Sequence, residues 1–143
     1  MKHALVSLIG GVALAVVATC GVAQSKRSPP SGPADPCNSG ICKIDVTVNN
    51  CGAAGGITVN RPFLSMSKTG SSTVIHWTIV TPGHVFAADG IRFDPAAPDF
   101  QRLPGGQPNV IRMKNTKATL GDFYYWVKVA NCVPLDPFIR NDP

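Results

Sequence analysis

The sequence contains no glutamate, and all eight of its acidic residues are aspartate. Glutamate is a good helix former, whereas glycine and proline are the poorest. The chain has 14 glycines and 13 prolines, so it is rich in residues that interrupt a helix. This composition excludes a mainly helical domain and favours short strands joined by turns.

Charge is also scarce, because only 15% of the residues are charged. The net charge is +5, and the basic residues are scattered along the chain rather than massed in one stretch. A clustered basic patch is typical of nucleic-acid binding, so we predict no nucleic-acid partner. The mild positive charge predicts a weak attraction to anionic surfaces.

The usual motifs of catalysis are missing. No serine stands in a Gly-x-Ser-x-Gly turn, and Gly105-Gly106 precedes neither a lysine nor a helix, as a phosphate-binding loop would require. Most aspartates stand beside proline or glycine, where turn formation explains them. We therefore predict a protein that is not an enzyme and carries no cofactor.

Residues 1–23 have the three parts of a secretory signal peptide. Lys2 and His3 form the positive end, Ala4–Ala18 is apolar, and small residues precede Gln24. We predict cleavage before Gln24 and export to the periplasm or the medium.

The N-terminal segment has two alternative interpretations. The apolar run is shorter than the roughly 20 residues that a membrane-spanning helix needs, so we predict no transmembrane segment in the mature chain. Cys20 follows Val17-Ala18-Thr19 in an approximate lipobox, and a lipoprotein anchored through Cys20 is the minority alternative.

Residues 24–36 are predicted to form a disordered linker. This segment holds four prolines among thirteen residues and no large apolar side chain, so it cannot bury enough surface to offset the entropy of ordering. The folded domain is predicted to span residues 37–143.

Alternating apolar and polar residues predict the strands of that domain. The clearest are Cys42–Val48, Thr73–Val80, Asn109–Lys114 and the aromatic stretch Gly121–Ala130. Residues 94–108 contain four prolines and read as a long loop. With about seven or eight short strands, the chain is predicted to be an all-β protein, an antiparallel β-sandwich of cupredoxin-like or Ig-like type.

The predicted mature chain has four cysteines, at positions 37, 42, 51 and 132. An even number in an exported protein predicts two disulfides. Cys42 and Cys51 flank a strand and would lie about 30 Å apart, far beyond the ~7 Å limit between Cα atoms, so that pairing is excluded. Of the two remaining pairings we favour Cys37–Cys42 with Cys51–Cys132. The cysteine spacing does not match that of a zinc site.

Parts of the sequence resemble the cupredoxin family. The run Thr73–Ile79, then Thr81-Pro82-Gly83-His84, and later Gly121-Asp122-Phe123-Tyr124-Tyr125 carry the resemblance. It implies a cupredoxin-like topology with His84 near the first copper-ligand position. Neither histidine nor methionine follows Cys132, whereas a blue-copper site needs two imidazoles and a thiolate. The resemblance therefore implies no bound metal.

A second resemblance is to small uncharacterised secreted proteins of bacteria. It rests on the Cys-x-Ile-x-Val-x-Val opening at Cys42, the Ile-x-Trp-x-Ile strand at Ile75, and the Cys-x-x-x-Asp-Pro-Phe-Ile segment at Cys132. This resemblance implies an exported β-sandwich and no particular activity.

These observations lead to one functional hypothesis and one alternative. We expect a binding or structural module whose partner is a protein or carbohydrate surface, with Tyr124 and Trp126 on the outer face of the last aromatic strand as the candidate binding residues. We favour the interpretation in which residues 94–108 fold over these two side chains and make them structural. The alternative is a copper-binding or redox protein that uses His84 together with His76 or Met113.

Overall fold

The computed structural model describes residues 32–37 and 40–143. The predicted signal peptide, Cys20 and residues 24–31 of the predicted linker lie outside the described residues. The regular structure of the described part consists of ten strands: β1 (Asp35–Pro36), β2 (Ile41–Val48), β3 (Ile57–Val59), β4 (Phe63–Ser67), β5 (Thr73–Ile79), β6 (Phe86–Phe93), β7 (Phe100–Arg102), β8 (Val110–Asn115), β9 (Gly121–Val129) and β10 (Phe138–Asp142).

The strands form two five-stranded sheets. The first sheet has the order β1-β4-β10-β9-β6, and the second sheet has the order β3-β2-β5-β8-β7. The predicted all-β sandwich is thus confirmed, with ten strands rather than seven or eight. Its sheets are mixed rather than purely antiparallel, since β4 runs parallel to β1 and β10, and β2 runs parallel to β5. Among the described residues, no helix has the length and apolar character needed to cross a membrane.

The alternating sequence of β2 explains its position in the second sheet. Ile44 and Val46 are fully buried, whereas Lys43 and Asp45 between them are exposed. Successive side chains of a strand point to opposite faces, so one face of β2 packs into the core and the other faces outward. β5 and β8 show the same alternation, which gives the second sheet a separate outer face.

Trp77 of β5 and Tyr125 of β9 join the two sheets at the centre of the core. Both side chains are fully buried, and their rings meet edge to face with centroids 5.6 Å apart. Nε1 of Trp77 donates a hydrogen bond to the hydroxyl of Tyr125 at 3.3 Å. Burial raises the pKa of Tyr125 far above its usual range, although the bond from Trp77 opposes part of this shift. The hydroxyl therefore stays neutral and available as an acceptor.

A second, polar contact joins the sheets nearer one end of the sandwich. The amide of Asn115 in β8 donates to Oδ1 of Asn141 in β10 at 2.8 Å, and both residues are buried. Oδ1 of Asn115 in turn accepts from the backbone N–H of Lys117 at 2.9 Å. The side chain of Lys117 is buried, and its Nζ has no hydrogen-bond partner within the described part of the chain.

Three strands fall where the sequence predicts none. β1 lies inside the predicted linker, β7 lies inside the predicted loop 94–108, and β10 follows the last predicted strand. β1 and β7 have two and three residues, too few for an alternating pattern to appear. β10 directs the polar Asn141 into the core, which breaks the pattern that would have marked it.

Tyr125→Phe is expected to lower the free energy of unfolding by about 1–3 kcal/mol, because the buried Trp77 N–H would lose its acceptor. Chemical denaturation measures this change. Tyr124→Phe is the matched control: Tyr124 is half-buried, water can replace a lost partner there, and a smaller effect is expected. An equal loss in both variants would show that the hydrogen bond to Trp77 is not the stabilising element.

Candidate functional site

Three loops meet at the end of the sandwich where β2, β5 and β9 terminate. Residues 49–56 connect β2 to β3, residues 80–85 connect β5 to β6, and residues 130–137 connect β9 to β10. Backbone hydrogen bonds join them: Val133 N–H donates to the carbonyl of Cys51 at 2.9 Å, and Ala130 N–H donates to that of Val85 at 3.0 Å. The three loops therefore form one connected surface.

The conformation of the first loop requires a glycine. A Cβ atom at Gly56 would lie 1.6 Å from the carbonyl oxygen of Asn50, so no larger residue fits. The carbonyl of Gly56 accepts from the backbone N–H of Asn49 at 2.7 Å, which closes the turn. This tight turn sets the position of Cys51.

Two disulfides are present, in agreement with the predicted disulfide bonds of the domain. Cys51 is bonded to Cys132 across 81 residues, and this bond links the loop after β2 in the second sheet to the loop after β9 in the first sheet. Cys37 is bonded to Cys42, five residues away, at the start of β2.

His84 lies against the long-range disulfide. Its Nδ1 is 4.0 Å from Sγ of Cys51. The ligand-type atoms of Cys51, His84 and Cys132 all lie within 4.8 Å of one another, and all three residues are half-buried. We call these three residues the thiol–histidine cluster.

The other residues suggested as partners of His84 point elsewhere. His76 lies on the outer face of the second sheet, and it is not part of the thiol–histidine cluster. Met113 of β8 is buried in the core between the sheets. The structure instead places two cysteine sulfurs beside His84.

A line of three basic side chains crosses the outer face of the second sheet. In the strand register, Lys43 of β2 lies opposite His76 of β5, and His76 lies opposite Arg112 of β8. We call these residues the basic row. Partial burial, followed by the positive charges of Arg112 and Lys43, lowers the pKa of His76 below its usual value. The guanidinium of Arg112 donates to the carbonyl of Pro104 at 2.8 Å, which fixes its position.

Tyr124 lies on the outer face of the first sheet. Its ring is 5.4 Å from that of Phe138, and the guanidinium of Arg140 lies over Phe138 at 5.5 Å. Arg140 also pairs with Asp122 at 2.7 Å. These residues form a packed cation–aromatic cluster rather than an open stacking platform.

Trp126 lies on the first sheet, whereas the segment 94–108 contributes β7 to the second sheet. Trp126 shares the outer face of the first sheet, in register with Arg92 of β6. Within 94–108, Phe100 stacks on Phe93 in the core at 4.0 Å, and β7 pairs with β8 at the edge of the second sheet.

Sequence reasoning missed the basic row. Its three members occupy outward positions of strands that are far apart in the chain, so only the pairing register brings them together. The available signal was one basic residue at an outward position in each of the three predicted strands.

No protein family and no curated protein matches this chain. Two features of the described residues bear on the chemistry that the protein can perform. One is the basic row on the second sheet, and the other is the thiol–histidine cluster at the loop end.

Replacing both Cys51 and Cys132 by alanine is expected to cost about 4 kcal/mol of stability, because an unfolded chain without this long crosslink gains more entropy. The Cys37→Ala/Cys42→Ala variant is the control and is expected to cost about 2 kcal/mol for its short loop. Denaturant unfolding of both variants measures which of them loses more stability. A larger loss of stability in the Cys37→Ala/Cys42→Ala variant would contradict the prediction.

Proposed function

We propose that the protein is an exported, non-enzymatic binding module that binds an acidic polysaccharide through the outer face of its second sheet. The basic row carries this proposal, because it places Lys43, His76 and Arg112 side by side on three adjacent strands. The two disulfides support an oxidising compartment outside the cytoplasm.

Lys43 and Arg112 are the permanent charges of the basic row, and they stand on the two strands that flank His76. Neighbouring strands lie about 4.8 Å apart, so the sheet holds these two cations roughly 10 Å from each other on one face. Asp45, the nearest acidic residue in β2, accepts one hydrogen bond from the side-chain amide of Asn60 and donates its own backbone N–H to Oδ1 of Asn60. A bound carboxylate or sulfate would interact favourably with both cations of the row.

The surroundings of the basic row suit a hydroxylated polymer. The next row on one side contains Asp45, Thr78 and Val110, and the next row on the other side contains Ile41, Val74 and Lys114. These rows offer charged, hydroxyl and apolar groups but no aromatic ring. Binding of single-stranded nucleic acid relies on aromatic rings that stack on bases, so this face favours a polysaccharide over a nucleic acid.

Lys43→Gln and Arg112→Gln are each expected to weaken binding to polygalacturonate by about fivefold, the equivalent of one contact of ~1 kcal/mol. Isothermal titration calorimetry at low salt measures the dissociation constants. Because these charges are exposed, added salt should weaken binding by the parent protein more than by either variant.

Lys128→Gln is the matched control, since it removes one positive charge from the first sheet, where Lys128 pairs with Asp89 at 2.6 Å. It is expected to leave the affinity within about twofold, because its charge is already paired. An equal loss in Lys128→Gln would show that net charge alone drives binding. Tighter binding of polyglutamate or single-stranded DNA than of polygalacturonate would also overturn the proposal.

The affinity for polygalacturonate is expected to rise as the pH falls through the pKa of His76, because the imidazole becomes a third cation facing the polymer beside Lys43 and Arg112. The stability of the unbound protein should change in the opposite direction and fall as the pH falls. The pKa of His76 is lower in the folded state than its ordinary value of 6.5, so the unfolded chain binds more protons between the two values. Stability is therefore full above 6.5 and falls as the pH drops through the folded pKa.

His76→Gln tests both halves of this pH dependence. It should flatten the rise in affinity and reduce the loss of stability at mildly acidic pH, measured by calorimetric titration and by thermal unfolding. An unchanged rise in affinity in His76→Gln would place the titrating group outside the basic row.

A further inference from the structure

We propose that the thiol–histidine cluster becomes a copper(I) site when the Cys51–Cys132 disulfide is reduced. The two released thiolates and Nδ1 of His84 would be its three ligands. This metal site is independent of polysaccharide binding, because it lies in the loops at one end of the sandwich rather than on the outer face of the second sheet.

The spacing of the ligand atoms suits a trigonal ion. Metal–sulfur and metal–nitrogen bonds of about 2.3 and 2.0 Å require ligand atoms roughly 3.7–4.0 Å apart around a three-coordinate centre. Sγ of Cys51 and Nδ1 of His84 are already 4.0 Å apart. Reduction breaks the bond between the sulfurs and lets them separate to a similar distance by side-chain rotation.

The loops that carry the ligands are held together by contacts other than the disulfide. The backbone bonds from Val133 to Cys51 and from Ala130 to Val85 join all three loops. Thr81 adds a side-chain link, since its Oγ1 accepts from the N–H of Val48 at 2.9 Å. These bonds can keep the three ligands near one another after the crosslink opens.

The donor set selects the metal. Thiolates are soft ligands that favour copper(I), zinc and iron–sulfur clusters, whereas calcium and magnesium prefer oxygen. The cluster contains no carboxylate. Zinc held by two cysteines and one histidine takes a fourth ligand such as water, whereas trigonal copper(I) needs none. Two sulfurs and one nitrogen are a complete set for trigonal copper(I).

The redox step is a thiol–disulfide exchange with a dithiol reductant. The dithiol transfers two electrons and two protons, so the Cys51–Cys132 bond breaks, two S–H groups form, and the reductant becomes a disulfide. Copper(I) then displaces the two thiol protons and binds the neutral His84 ring. The oxidised protein has no thiolate at this position, so copper(I) binding depends on the redox state.

The donor set differs from the one that the cupredoxin resemblance implies. That pattern places His84 and Cys132 near ligand positions but requires a second histidine, which does not follow Cys132. Here the third donor is Cys51, which comes from the turn after β2 and has no counterpart in the resembling motifs.

The test uses the full chain with Cys20→Ser, Cys37→Ala and Cys42→Ala, so that Cys51 and Cys132 are its remaining cysteines. The protein is reduced with dithiothreitol, freed of reductant without oxygen, and titrated against the coloured copper(I)–bicinchoninate complex. We expect the reduced protein to withdraw one copper(I) per chain and the oxidised protein to withdraw none. Near-ultraviolet circular dichroism checks that the reduced protein keeps the Trp77–Tyr125 core, and a chain that retains Cys37 and Cys42 replaces it if it does not. A reduced, folded protein that withdraws no copper(I) would overturn the proposal.

His84→Ala should weaken copper(I) binding by about tenfold or more, because it removes one of three ligands. His76→Ala is the matched control and should leave the affinity unchanged. Near-ultraviolet circular dichroism reports whether the Trp77–Tyr125 core persists, and His84→Gln replaces the alanine variant if it does not. Equal affinity with and without His84 would refute the site.

X-ray absorption at the copper edge gives a readout that needs no variant. Two sulfurs and one nitrogen around the metal are expected in the reduced, copper-loaded protein. A shell containing sulfur alone would show that copper binds the thiols without His84, and would overturn the assigned ligand set.

Discussion

The contact between Trp77 and Tyr125 is the interaction on which the sandwich depends. It joins the central strand of the second sheet to β9 of the first, with both rings fully buried and the indole N–H bonded to the phenol hydroxyl. Tyr125 also lies 5.5 Å from Phe93, so the contact extends into a chain of packed rings. Because a buried donor without an acceptor is costly, this bond specifies how the two sheets face each other as well as stabilising them.

Because buried contacts join the two sheets, the outward-facing side chains do not form part of the core and can make other contacts. The outer faces of the two sheets differ in how their charges are arranged. On the first sheet, Arg140 packs over Phe63 and pairs with Asp122, so charge and aromatic surface satisfy each other. On the second sheet, Lys43 and Arg112 stand on either side of His76, and the charges reinforce rather than cancel. This contrast supports the proposal that the second sheet, and not the first, is the surface that binds an anion.

Much of the fold could be predicted from the alternation of apolar and polar residues along the strands. The other strands, the parallel pairing and the loop contacts could not, for physical reasons. Strands β2, β5, β8 and β9 are recognisable because each has an uninterrupted apolar face. The pattern of β10 is broken by Asn141, a polar residue that is buried against Asn115. Parallel pairing, such as that of β2 with β5, leaves no mark in a single strand. The proximity of His84 to Cys51 depends on where two loops end, which residue patterns do not encode. The functional surfaces therefore emerge only when strand register and loop position are known.

The lengths of the outermost strands have a consequence for the behaviour of the protein in concentrated solution. An open sheet edge presents unpaired backbone groups that can recruit a strand from another molecule, the first step of ordered aggregation. Among the described strands, three of the four sheet edges are β1, β3 and β7, with two, three and three residues. The fourth, β6, is interrupted between Phe86 and Ile91, where its register with β9 shifts. Edges this short or irregular are poor templates for a strand of another molecule, which favours a chain that stays dispersed in concentrated solution.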